Sequence, residues 1–145
     1  MTAQDVMTHP VQSCHPEMNL AAAAALMWDY DCGALPVLED GRLVGMITDR
    51  DICIALGTRD LPAHEVTVRD VEATQVTTCT IEDSLHHVLE LMRRARVRRL
   101  PVVDREGGLV GIVTLSDVAV RSDKRSRGEI VETIQALRSQ QRAAA

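Results

Sequence analysis

Two stretches of this sequence space hydrogen-bonding side chains in a way that suits a small ligand: Thr48-Asp49-Arg50-Asp51 and Thr114-Leu115-Ser116-Asp117. In each, a Thr ends an apolar run and an Asp follows three residues later. An ionised carboxylate only accepts hydrogen bonds, so Asp51 or Asp117 can take both hydroxyls of a ribose. The Thr hydroxyl can hold ribose or phosphate, and the N–H groups of a helix starting at Thr48 favour an anion. Arg50 adds a cation for phosphate. Gly45, three residues before Thr48, has no side chain to block close backbone approach, although Gly45 and its counterpart Gly111 suit a tight bend equally. The pattern Thr-x-x-Asp is also a capping box, in which the Asp supports a helix start. It recurs at Thr2-x-x-Asp5 and Thr67-x-x-Asp70, where capping alone is expected. Both uses stand from sequence. Leu115 and Ser116 replace Asp49 and Arg50 in the second stretch, so two related sites are expected to differ in affinity.

A cationic cluster comprises Arg93, Arg94, Arg96, Arg98 and Arg99. Arg93 and Arg94 fall in the last turn of a helix, where cations complement the dipole, and read as a solvated helix end. Arg98 and Arg99 enter a strand and alternate faces, so one of them is expected in a cleft as a polyphosphate contact. Nucleic-acid binding by this cluster is disfavoured because no aromatic residue interleaves it. Cys14, Cys32, Cys53 and Cys79 are far apart and form no CxxC pair; Cys14 and Cys79 are expected to be buried, with a redox disulfide as the alternative. His86-His87 lacks metal-ligand spacing. No nucleophile–base constellation, Walker-type loop or HExxH is present, so no catalysis is expected.

The elements that must carry these residues occur twice. An offset of 65 residues, rising to 66 after an insertion near Glu106, aligns residues 2–54 with 67–120; 18 of 52 aligned positions are identical, against about three by chance. Leu35-Pro36-Val37 matches Leu100-Pro101-Val102, and Leu43-Val44-Gly45 matches Leu109-Val110-Gly111. Each copy reads as a capped turn, a short strand (Val11–Cys14; Val76–Cys79), and a helix from Asn19 or Ser84. The helix presents Leu20, Ala23, Ala24, Met27 or Leu85, Val88, Leu89, Met92 on one face. A strand (Leu35–Leu38; Leu100–Val103), a turn at Asp40-Gly41 or Glu106–Gly108, a second strand (Leu43–Ile47; Leu109–Val113) and a helix from Thr48 or Thr114 complete it. The order is β-α-β-β-α, twice: an α/β fold of residues 1–61 and 62–123, linked through residues 57–66. A C-terminal helix and tail, 124–145, carries the stripe Ile130, Ile134, Leu137. That stripe needs burial, on the module's own surface or against a second copy. The repeats are expected to pack sheet against sheet about a pseudo-twofold axis.

With 145 residues, 46% of them apolar, the chain can bury one domain's core. With one Trp, one Tyr and no Phe, the core is aliphatic, and a surface of several aromatic stacking platforms is excluded. Residues 1–92 carry 4 basic and 15 acidic side chains, residues 93–145 12 basic and 6 acidic. The basic half can receive a local anion or an acidic partner. No signal sequence or membrane-length apolar run is seen, and the dispersed cysteines read as reduced thiols, so a cytoplasmic location is expected. Trp28, aligned with Arg93, is expected to be exposed, either marking a contact with a partner or a second copy or simply standing as a lone exposed Trp.

The Leu-Pro-Val strand, the Leu-Val-Gly strand and the closing Gly-x-x-Thr-x-x-Asp, duplicated, resemble the CBS domain, and the tandem resembles the CBS pair or Bateman module over residues 2–121. The resemblance implies a regulatory sensor without an attached output domain. It implies an adenine ligand (AMP, ADP, ATP or S-adenosylmethionine) in clefts between the repeats. It places Ala34, Leu35 and Pro36, and Arg99, Leu100 and Pro101, around the adenine, partly through backbone groups; Thr48 and Asp51, and Thr114 and Asp117, then hold ribose. It implies a homodimer and an unidentified target protein. The alternative is a nucleotide-independent scaffold.

Overall fold

The computed structural model describes residues 1–144, with side chains through Ser139. The elements are α1 (Ala3–Val6), α2 (Leu20–Asp29), β1 (Ala34–Glu39), β2 (Arg42–Thr48), α3 (Asp49–Arg59), α4 (Leu85–Ala95), β3 (Arg99–Val103), β4 (Leu109–Thr114), α5 (Leu115–Arg121) and α6 (Arg127–Ala144). Three 3-10 turns lie at Ala63–Glu65, Val68–Asp70 and Lys124–Ser126. The result is a mixed α/β fold with two antiparallel hairpins, β1–β2 and β3–β4.

Local chemistry explains most boundaries. Asn19 Oδ1 accepts the Ala22 N–H (2.8 Å) and Ser84 Oγ the His87 N–H (3.2 Å), starting α2 and α4. The inward faces are Leu20, Ala23 and Met27 in α2, and Leu85, Val88, Leu89 and Met92 in α4. The β1–β2 turn needs left-handed backbone at Asp40 and Gly41 (φ 51° and 76°). Both hairpins bulge at equivalent places, after Val37 and after Val102. Gly57, expected in the linker, lies inside α3, which runs to Arg59 and stops where Asp60 turns left-handed. The expected strands at Val11–Cys14 and Val76–Cys79 are each reduced to one parallel bridge, Cys14 to Val37 and Cys79 to Val102.

The chain forms two compact units, and they are not the two contiguous repeats. Unit 1 comprises 1–11 and 77–145; unit 2 comprises 12–76. The N-terminal segments of the repeats are exchanged. Ala73 exchanges N–H···O bonds with Met46 (3.0 and 2.9 Å), and Thr8 does the same with Ile112 (2.8 and 3.0 Å). These contacts explain Gly45 and Gly111. A Cβ on Gly45 would sit 2.9 Å from the Ala73 carbonyl oxygen, and one on Gly111 2.6 Å from Met7 Sδ and 3.2 Å from the Thr8 oxygen. The close backbone approach anticipated there is made by the chain itself.

Each unit has its own aliphatic core, around Leu20, Leu35, Val37 and Ile47 in unit 2 and around Val88, Leu89, Leu100 and Val113 in unit 1. Unit 1 also contains α6. Ile130 and Leu137 are buried with Thr133, while Ile134 is 38% exposed. The stripe therefore covers the module's own surface, shifted by one position from the sequence reading. Thr133 tolerates burial because its hydroxyl donates to the Glu129 carbonyl (2.8 Å) and accepts from Arg93 Nη1 (2.7 Å).

Candidate functional site

Both strand-to-helix junctions are built alike. Ala34 pairs with Thr48 and Arg99 with Thr114 across the hairpins. The Gly33 carbonyl accepts the Asp49 N–H (3.0 Å), and the Arg98 carbonyl accepts the Leu115 N–H (2.8 Å). The start of the first strand is thus fastened to the start of the following helix.

The Thr-x-x-Asp sequences starting at Thr2, Thr48, Thr67 and Thr114 all form capping boxes. At α3, Asp51 Oδ2 accepts the Thr48 N–H (2.9 Å) and Thr48 Oγ1 the Asp51 N–H (3.1 Å). At α5, Asp117 Oδ2 accepts both the N–H (3.1 Å) and the hydroxyl (2.7 Å) of Thr114. Each box uses Oδ2. The remaining Asp117 oxygen lies 3.7 Å from Arg121 Nη2. Capping and ligand binding are therefore compatible in geometry, since a carboxylate offers two acceptor oxygens.

Around these junctions the units differ. In unit 1 a cavity of about 430 Å³ is lined by Arg98, Arg99, Thr114, Leu115, Ser116, Ala119, Ile134 and Arg138. That volume lies in the range of small-molecule sites. In unit 2 a cavity of about 350 Å³ lies between α2 and α3, lined by Ala24, Met27, Trp28, Cys32, Asp49, Ile52 and Cys53. Of the residues anticipated from sequence, the unit 1 cavity brings together Arg98, Arg99 and Thr114. Both arginines line it, where alternation along a strand had allotted it one, because Arg98 precedes β3. Asp117 stands behind Thr114 in the capping box. Leu35, Pro36, Leu100 and Pro101 are buried. The two prolines' carbonyls accept the N–H groups of Cys14 and Cys79 (both 3.0 Å). Thr48, Arg50, Asp51 and Ala34 adjoin the unit 2 junction but do not line its cavity.

Sequence reasoning missed Ile134 and Arg138 of α6. Their spacing of four puts them on one helix face, but which surface that face meets is a tertiary fact. Arg93 is another difference: it is half-buried, and its Nη2 lies 3.5 Å from Glu129, which also contacts His86. It seats α6 instead of ending α4 in solvent. Trp28, its counterpart in unit 2, is 86% exposed, as anticipated.

Burial sets the notable acidities. It pushes the Cys14 and Cys79 thiols up to about 12, helped by the charges of Glu72 and Asp83 respectively. Both thiols sit in separate cores, 4% and 2% exposed, and are protonated and unreactive near neutral pH. Glu72 is shifted upward by burial and by Glu39, with Arg69 opposing. Among the described residues, no group of three His, Cys, Asp or Glu is placed to hold a metal, and no helix is long and apolar enough to cross a membrane.

The CBS domain family model matches residues 3–58 and 68–123. The CBS domain-containing protein YhcV of Bacillus subtilis is 38% identical over 119 residues, spanning 82% of this chain and 84% of that one. Hypoxic response protein 1 of Mycobacterium tuberculosis is 35% identical over 134 residues, 92% of this chain and 93% of its own. Its crystal structure with two coordinated zinc ions superposes with TM-score 0.72 and 36% identity, covering 83% of this chain and 98% of that one. The CBS domain pair of MJ0100, in complex with 5'-methylthioadenosine and S-adenosyl-L-methionine, gives TM-score 0.76 at 27% identity, covering 83% and 94%. CBSX2 in complex with AMP gives 0.71 at 28%, covering 82% and 93%. A duplicated strand-hairpin-helix unit with exchanged N-terminal segments, matched at this level on both copies, establishes that the chain belongs to the CBS domain family as a tandem pair.

Proposed function

We propose that this protein is a non-enzymatic regulatory module that binds an adenine nucleotide, and that the junction of unit 1 is its principal site. One observation carries the reading: Arg98, Arg99 and Thr114, singled out for phosphate and ribose by their chemistry, line one cavity of ligand size, and Asp117, outside that lining, is hydrogen-bonded to Thr114. Thr114, with the Asp117 oxygen that the cap does not use, takes ribose, the backbone and side chains around Arg99, Leu100 and Pro101 flank the base, and the arginines take phosphate. The complexes of MJ0100 with adenosyl compounds and of CBSX2 with AMP support an adenine ligand. In unit 2, Thr48, Asp51, Arg50, Ala34, Leu35 and Pro36 form the weaker counterpart. Ligand binding shifts a conformational or oligomeric equilibrium by its differential affinity for the two states, and a target protein reads the change. Self-association as a homodimer belongs to this reading and is carried by the exposed Trp28; a monomeric mass by light scattering at tens of micromolar would remove it.

The scaffold reading is favoured by one finding, that the Thr-x-x-Asp sequences at Thr48 and Thr114 already serve as caps, as those at Thr2 and Thr67 do. Thermal unfolding against AMP, ADP, ATP, NAD, S-adenosylmethionine and GTP separates the two. A ligand at 100 times its Kd adds about 2.7 kcal/mol, a rise of roughly 5–10 °C for a chain of this size. A selective rise with an adenine ligand, diminished in Asp117→Ala, supports the sensor. A flat panel on folded, ligand-free protein supports the scaffold.

A further inference from the structure

The cavity of unit 1 is walled on one side by α6, through Ile134 and Arg138. Arg98 and Arg99 come from the start of β3, on a different element, and Thr114 and Ser116 add hydroxyls between them. No carboxylate lines it among the described residues. A guanidinium stays charged at every physiological pH and matches phosphate oxygens two at a time. The equivalent positions of unit 2 show that the fold does not demand these cations. Gly33 and Ala34 stand for Arg98 and Arg99, and the unit 2 cavity is lined instead by the acidic Asp49. α6 itself is seated by other residues: Ile130 and Leu137 are buried, and Thr133 and Glu129 hold Arg93. Arg138 is exposed and takes no part in that seating.

We infer that α6 is a phosphate-sensing arm: a polyphosphate chain in the unit 1 cavity is held jointly by Arg98 and Arg99 from the strand side and by Arg138 from α6, and so fastens α6 to the unit. This rests on the proposed function for the nucleoside end of the ligand only. The ligand class is a nucleoside di- or triphosphate. S-adenosylmethionine is disfavoured, because its sulfonium and ammonium groups would enter a cationic cavity. Coupling is reciprocal, so whatever Arg138 adds to phosphate affinity reappears as tighter docking of α6.

The test titrates the full chain calorimetrically with ATP and, separately, with inorganic tripolyphosphate, in wild type, Arg138→Ala and Arg125→Ala. The last removes the same charge from an exposed turn outside the cavity. Hydrogen exchange of the α6 amides is followed with and without each probe. Both probes are expected to bind wild type. Arg138→Ala is expected to lose about tenfold or more in affinity for each, and Arg125→Ala less than about twofold. Exchange in α6 slows on binding in wild type and not in Arg138→Ala. The inference is overturned if Arg138→Ala binds both probes as wild type does, if α6 exchange is unmoved at saturation, or if neither probe binds at millimolar concentration. Binding of tripolyphosphate that depends on Arg138, with ATP no tighter, would sink the adenine reading and leave the arm standing. Tight adenine binding indifferent to Arg138 would do the reverse.

Discussion

The two units share a backbone plan and differ in what covers and charges it. Both have the same bulged hairpin, the same capped helix after it, and the same glycine under an exchanged segment. Unit 1 adds α6 over α4 and α5, and its junction cavity is lined by three arginines. Unit 2 leaves Trp28 exposed over a cavity lined by Asp49, Cys32 and Cys53. After duplication, the residues that build the frame have stayed in step, while those at the mouth of the junction have diverged. Chemistry in this molecule is therefore to be sought where the repeats differ, at positions 33, 34 and 49 against 98, 99 and 115.

The largest test of that contrast removes the cover. Leu137, 4% exposed in the unit 1 core, should cost about 2–5 kcal/mol on Leu137→Ala, as buried large-to-small changes do. Hydrogen exchange should accelerate in α4, α5 and α6 and change far less in unit 2. Equal acceleration in both units would dissolve the distinction. A smaller effect compares the glycines. Gly45→Ala drives a Cβ against the Ala73 carbonyl oxygen at 2.9 Å, which is backbone. Gly111→Ala meets first the end of the flexible Met7 side chain at 2.6 Å. Denaturant unfolding should show a loss of about 1–3 kcal/mol for Gly45→Ala and less for Gly111→Ala. The reverse order would mean that the segment over Gly111 is the more rigidly held of the two.

The smallest effect probes what the units share. Cys14 and Cys79 each hold their proton more tightly when folded, up to about 12 against an ordinary 9.0. Their contribution is complete below pH 9 and is lost as pH rises from there toward the folded value, because the unfolded thiols ionise first. Urea midpoints should fall above pH 9, and Cys14→Ala and Cys79→Ala should each flatten that fall by similar amounts. A flattening by only one variant would show that the two cores are not equivalent.

Much of the frame was legible because its causes are local. Asn19, Ser84, Thr48 and Thr114 cap the helices they were assigned, and apolar periodicity marked the buried faces of α2 and α4. The exchange of N-terminal segments was not legible. Residues 2–6 and 67–71 carry the same local pattern, and nothing within either says which hairpin it will meet. Gly45 and Gly111 signalled a close approach but not that the chain's own backbone makes it. The stripe Ile130, Ile134, Leu137 predicted a helix; that Thr133 would be buried in place of Ile134 depends on Arg93, forty residues away. Arg138 reaches the cavity for the same tertiary reason. Of the unit 1 cavity's lining, Arg98, Arg99 and Thr114 stood out in the sequence by their chemistry, and Ile134 and Arg138, supplied by α6, did not.

On the proposed function, the unit 1 junction is the principal nucleotide site and the unit 2 junction, built on the same frame, is the weaker one. Equilibrium titration with ATP tests it most directly, read as stoichiometry in wild type, Arg99→Ala and Asp49→Ala. The expected result is one tight ATP per chain, lost in Arg99→Ala and kept in Asp49→Ala. Two equal sites per chain, or a single site that disappears in Asp49→Ala and survives in Arg99→Ala, would contradict it.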